Sequence, residues 1–138
     1  MQPQVIINTR PQDAYRRQDI LTANSVDLIV MLYDALKKNI VLGKRGIAKN
    51  DVQSAHKHLM KAQDIVSELM KSLDMNYEIS DELLSIYSFA LKNLADANIR
   101  KDAEPLEPVL EIVDDLRGAW AEVSGKIRGN VQWREELA

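Results

Sequence analysis

Only two histidines, His56 and His58, could serve as a base or a metal ligand. On a helix, residues two apart point about 200° away from each other, so the pair cannot share a ligand face. The Glu-x-x-His pattern of di-iron bundles is absent, because neither histidine has an acidic residue three positions before it. Both are read as solvent-facing. Asp114-Asp115 and Glu135-Glu136 fall on polar faces and read as solvation rather than as an acid–base pair. Ser54, Ser67 and Ser85 read as helix-surface residues with no His-Asp set to activate them. There is no Gly-rich phosphate loop. With no cysteine, disulfides, thiolate metal sites and cysteine nucleophiles are excluded. The expectation is therefore no enzyme, no catalytic residue, no metal and no cofactor.

The elements that carry these residues are all helical. The chain has 138 residues and a formal net charge of −3, with 5 Gly and 4 Pro. That length implies one domain with a core of its own. Mild acidity argues against nucleic acid as a partner. No apolar run approaches the ~20 residues of a membrane span, and the N-terminus lacks the apolar stretch of a signal peptide. A soluble cytosolic protein without membrane insertion is expected.

Periodicity organises the chain into an arm at 1–24, an antiparallel four-helix bundle at 25–129 and a tail at 130–138. The first helix runs from about Ser25 to Ala48, with Asn24 and Asp27 as its start signals. Gly43 and Gly46 weaken its end by about 1 kcal/mol each relative to Ala. Asp51 caps the second helix, which runs to about Leu73. Its seam is Val52, Ala55, Leu59, Ala62, Val66, Leu69, Met70 and Leu73, at alternating steps of three and four. Ser80, Asp81 and Glu82 open the third helix, whose stripe is Leu83, Ile86, Tyr87, Ala90, Leu94 and Ala97. Pro105 suits the first turn of the fourth. That helix carries Val109, Ile112, Val113, Leu116, Trp120, Val123 and Ile127 and stops at Gly129-Asn130. Trp133 follows in a charged tail.

Apolar residues exceed what such a bundle needs. Ile29, Leu32, Tyr33, Leu36 and Ile40 form one stripe of the first helix. Leu28, Met31, Ala35 and Leu42 form a second stripe beside it. Together they span roughly 200°, against the ~100° of an ordinary core-facing stripe. Ile65 flanks the second helix's seam, and Leu84 and Leu91 flank the third's. The surplus implies grooves for a partner's amphipathic helix, with Tyr15, Ile20 and Leu21 of the arm as a removable cover. Burial of the first helix's surplus in a homo-oligomer and an adaptor role for another helical client are the rival readings.

An ordered set of short pieces resembles the FliS family of flagellin-specific export chaperones. The pieces are Ala14-Tyr15, Thr22-Ala23, Val30-Met31-Leu32-Tyr33, Lys61-Ala62-Gln63-Asp64-Ile65-Val66, Glu68-Leu69 and Leu73-Asp74. Ile86-Tyr87, Ala97-Asn98-Ile99, Leu116-Arg117 and Ala119-Trp120 complete the series. Ser25 stands where the family often has Pro, and the arm before Ala14 is longer than usual. The resemblance implies an all-α bundle that holds the C-terminal segment of flagellin, blocks premature polymerisation and aids delivery to the membrane export gate. It also implies an arm tyrosine that covers the groove until the client displaces it. On this footing Tyr15 is the lid and Ile65 the first groove residue. Leu28, Met31, Leu84 and Leu91 are further candidates from geometry, and Tyr33, Tyr87 and Trp120 are core.

Overall fold

The computed structural model describes residues 23–137, with side chains from 26–126. Tyr15 and the rest of the arm, the side chains of Ile127 and Trp133, and Ala138 lie outside the described residues. The protein is all-α, a bundle of four helices: α1 (Ala23–Ala48), α2 (Val52–Lys71), α3 (Glu78–Arg100) and α4 (Leu106–Leu137). It divides into two compact units, Leu32–Leu116 and the residues on either side of that span, and α1 and α4 belong to both.

Within Leu32–Leu116 the directions of the helices are fixed by named pairs. Lys37 meets Asp114 at 2.8 Å and Lys44 meets Glu107 at 2.6 Å, so seven steps up α1 match seven steps down α4. Gly43 lies against Leu59, and Gly46 against Ala55, which sets α1 and α2 antiparallel. The core contains Tyr33, Leu36 and Ile40 of α1 and Ala55, Leu59, Ala62, Val66 and Leu69 of α2. Leu83, Tyr87, Ala90, Leu94 and Ala97 of α3 join them, with Leu106, Val109 and Val113 of α4. These positions recur every three or four residues, as one buried face of each helix requires.

The two glycines of α1 have a packing reason that propensity alone does not supply. A Cβ at Gly46 would stand 2.7 Å from the backbone nitrogen of Ala55, and one at Gly43 would stand 2.7 Å from Leu59. The glycines let the two backbones approach closely, which outweighs their cost in helix propensity.

Local chemistry accounts for the helix ends, with several departures from the sequence expectation. Asp51 caps α2 as expected, its carboxylate accepting the Ser54 N–H at 3.1 Å. Asp27 does not cap α1: the helix begins at Ala23, and the Asp27 carboxylate accepts the hydroxyl of buried Ser124 instead. Asn24 consequently falls inside the helix. The third helix starts at Glu78, ahead of Ser80. Ser80 is buried and donates its hydroxyl to the Asp74 carbonyl at 2.5 Å, tying the loop to the first turn. Pro105 precedes α4 and does not enter its first turn. The fourth helix also runs through Gly129 and Asn130 to Leu137, because two weak helix formers do not end a helix without a competing turn.

Several expected stripe residues are not fully buried: Ile29, Leu32, Met70, Leu73, Ile86, Ile112 and Leu116 are half-buried, and three more stand at the margins. Val52 is 59% exposed and Val123 40%. Trp120 is half-buried. Each stands at the margin of its stripe, where helical spacing cannot separate a core position from its neighbour.

Inside the core the phenols of Tyr33 and Tyr87 are hydrogen-bonded to each other. Burial, together with that bond and the Tyr33 phenol itself, pushes Tyr87 well above the ordinary phenol range. The unfolded chain therefore releases this proton first, near pH 10, and stability falls as pH rises past that point. Tyr87→Phe should cost about 1 kcal/mol at neutral pH. It should also flatten the loss of stability above pH ~10, as read by denaturant unfolding at pH 8 and 10.5. Gly46→Ala should destabilise by about 1–3 kcal/mol despite alanine's better helix propensity, visible as a lower denaturant midpoint.

Candidate partner-binding surface

The six candidate positions separate into distinct places. Tyr15 lies outside the described residues. Leu28 and Met31 sit on the first part of α1, in the unit that flanks Leu32–Leu116, and are 39% and 63% exposed. Ile65, Leu84 and Leu91 are half-buried within Leu32–Leu116.

Two asparagine–histidine pairs show which edges the last three occupy. The Asn39 amide nitrogen donates to the Ala35 carbonyl at 2.9 Å, which leaves its oxygen facing His58 Nδ1 at 3.1 Å. His58 Nδ1–H is therefore the donor, and this edge of α2 faces α1. Ile65 stands seven residues on from His58, on the same edge. On the opposite edge, Lys101 Nζ, which can only donate, points at the Asn98 oxygen at 2.8 Å. The Asn98 amide nitrogen then faces His56 Nδ1 at 3.1 Å, and there the ring nitrogen accepts. The two rings thus hold opposite tautomers. Both expected solvent-facing histidines are partnered: His56 is exposed and His58 half-buried.

Seven-residue steps from the His56–Asn98 pair define a groove between α2 and α3, which pack along one another. Going up α2 they reach Gln63 and Met70, and going down α3 they reach Leu91 and Leu84. All four side chains are half-buried. Met60 stands on the rim, 40% exposed, with the Gln63 amide 3.7 Å from its sulfur. The structure thus brings Leu84 and Leu91 together and places Ile65 apart from them, on the far edge of α2. Sequence reasoning missed the Met60, Gln63 and Met70 side of this groove. The signal was available in the seven-residue spacing of His56, Gln63 and Met70 opposite Leu84 and Leu91.

Lys101 also closes the end of α3. It adopts a left-handed conformation (φ 51) usually given to glycine, and its ammonium bonds both the Asn98 carbonyl and side chain. Among the described residues, no three His, Cys, Asp or Glu side chains converge as a metal site would need, and no helix is long and apolar enough to cross a membrane.

The outer edges of this helical bundle carry half-buried leucine and methionine. The family model described as "Flagellar protein FliS" matches residues 8–127. The chain is 34% identical over 110 residues to the flagellar secretion chaperone FliS of Bacillus subtilis, covering 80% of this chain and 83% of that one. It is 29% identical over 110 residues to the protein of the same name from Salmonella typhimurium, covering 78% and 82%. The chain belongs to the FliS family, a family of chaperones rather than of enzymes.

Asn98→Ala should cost about 1 kcal/mol, because it removes the amide that joins the Lys101 ammonium to the His56 ring nitrogen. His56→Ala, at an exposed position, should cost less than half as much in the same denaturant titration.

Proposed function

We propose that this chain is a cytosolic export chaperone that holds the C-terminal segment of flagellin and accompanies it to the flagellar export gate. The relatives named above as flagellar secretion chaperones support the reading. The observation that carries it is the α2–α3 groove of Met70, Leu84 and Leu91, left half-covered in a chain of this family. A client that is disordered when free must offset several kcal/mol of ordering entropy, which calls for a long apolar contact. Ile65 on the other edge of α2, and Leu28 and Met31 on α1, supply additional apolar surface for such a client. Shallow contacts spread along helix edges hold it without the deep anchor that would slow its release. Capture of the segment that flagellin uses to polymerise keeps the cytosolic pool monomeric. Tyr15 of the arm is the lid, and covering the groove lowers apparent affinity by the covered fraction.

Calorimetric titration with the C-terminal segment of flagellin from the same organism should give saturable one-to-one binding and a clearly negative heat-capacity change. Leu84→Ser with Leu91→Ser should weaken binding about tenfold or more, roughly 1.4 kcal/mol, with a small change in thermal midpoint. Tyr15→Ala should tighten it. An absence of heat up to about 100 μM segment would overturn the assignment of the client.

A further inference from the structure

The edge of α3 that faces α4 has a different chemistry from the edge that faces α2. Asn93 donates its amide N–H to the Pro105 carbonyl at 3.1 Å, which ties α3 to the residue just before α4. Steps of four and seven residues back along α3 from Asn93 reach Phe89 and Ile86. Steps of three and seven forward along α4 from Pro105 reach Pro108 and Ile112. Ile86, Pro108 and Ile112 are half-buried, and Phe89, the single phenylalanine of the chain, is 45% exposed. A shallow concavity of about 510 Å³ opens on the surface of α4, and its lining residues, Pro108, Glu111, Ile112, Asp114 and Asp115, all belong to that helix.

The rim of this apolar strip is acidic and only partly compensated. Asp114 is held by Lys37. Glu82 on α3 and Glu111 and Asp115 on α4 are exposed and have no ion-pair partner among the described residues. From Glu82 to Asn93 and from Pro105 to Leu116 the sole cation is Lys92. Apolar surface between unpaired carboxylates repels an acidic segment and favours one whose apolar face is flanked by Lys or Arg. The open face of Phe89 adds a site for a cation.

The geometry points to the α3–α4 groove as a docking site for a basic amphipathic helix of a partner protein. That helix sets its apolar side on Ile86, Phe89, Pro108 and Ile112 and its cations on Glu82, Glu111 and Asp115. The site is separate from the α2–α3 groove assigned to flagellin and does not rest on that assignment.

The test uses the full chain and a synthetic helix of about 18 residues, leucine on one face and lysine on the other, with a glutamate version as its mirror. Fluorescence anisotropy should show binding of the lysine peptide that weakens between about 50 and 300 mM salt, and at least tenfold weaker binding of the glutamate peptide. Phe89→Ser, and separately Glu111→Lys with Asp115→Lys, should each reduce affinity about fivefold to tenfold at unchanged helicity. The same charge change placed elsewhere, Asp64→Lys with Glu68→Lys on α2, should leave affinity within about twofold. Equal losses in the two double variants would overturn the proposal, because bulk charge would then explain the binding. Equal affinity for both peptides, or displacement of the lysine peptide by a saturating C-terminal segment of flagellin, would overturn it as well.

Discussion

The close approach of α1 and α2 sets the terms for the other helices. With only hydrogen at Gly46, the α1 backbone passes near enough to α2 that a Cβ would press on Ala55. At this spacing Asn39 reaches His58 and Leu59 fills the space over Gly43. Small residues continue the theme along α2 and α3, where Ala55, Ala62, Ala90 and Ala97 are all buried. A bundle drawn in this tightly has little interior to offer, so apolar residues beyond the core stand at the helix edges. The apolar character of those edges is in that sense a by-product of tight packing.

Each edge then takes its character from the residues beside it. The α2–α3 edge is bounded by amides, an imidazole and the Lys101 ammonium and lined by leucine and methionine, whose side chains adapt readily to irregular surfaces. The α3–α4 edge carries similar apolar groups between carboxylates. The same backbone architecture thus presents surfaces of different selectivity, because burial is set by the helix face and charge by the next residue around the wheel.

Much of this was legible in the sequence. The three-and-four spacing of α2 and α3 gave both helices and most of their buried residues, and Asp51 announced the start of α2. Tyr33 and Tyr87 were correctly read as core. The margins were not legible: Val52, Trp120 and Val123 share the spacing of core residues, and only the position of a neighbouring helix decides which margin is covered. Asp27 looked like a cap because its bonding to Ser124, 97 residues away, leaves no local trace. Gly43 and Gly46 looked like defects for a similar reason, since the helix they accommodate is invisible to propensity. Gly129 and Asn130 looked like a stop, although weak helix formers merely raise the energy of a helix that continues. The surplus apolar residues were legible as surplus. Their division between separate edges follows from the seven-residue spacing, but which edge faces which neighbouring helix does not.

The hydrogen bond between Tyr33 and Tyr87 bears on how single-valued the fold is. Leucine and alanine layers tolerate sliding, since one apolar contact substitutes for another at little cost. A phenol hydroxyl buried among them tolerates none. Shift α1 by one turn against α3 and the Tyr87 oxygen loses its partner in a dry interior, a loss of several kcal/mol that no alternative apolar contact restores. One polar atom pair therefore acts as a locating pin for otherwise interchangeable layers. The register of the bundle is thereby fixed from inside the core.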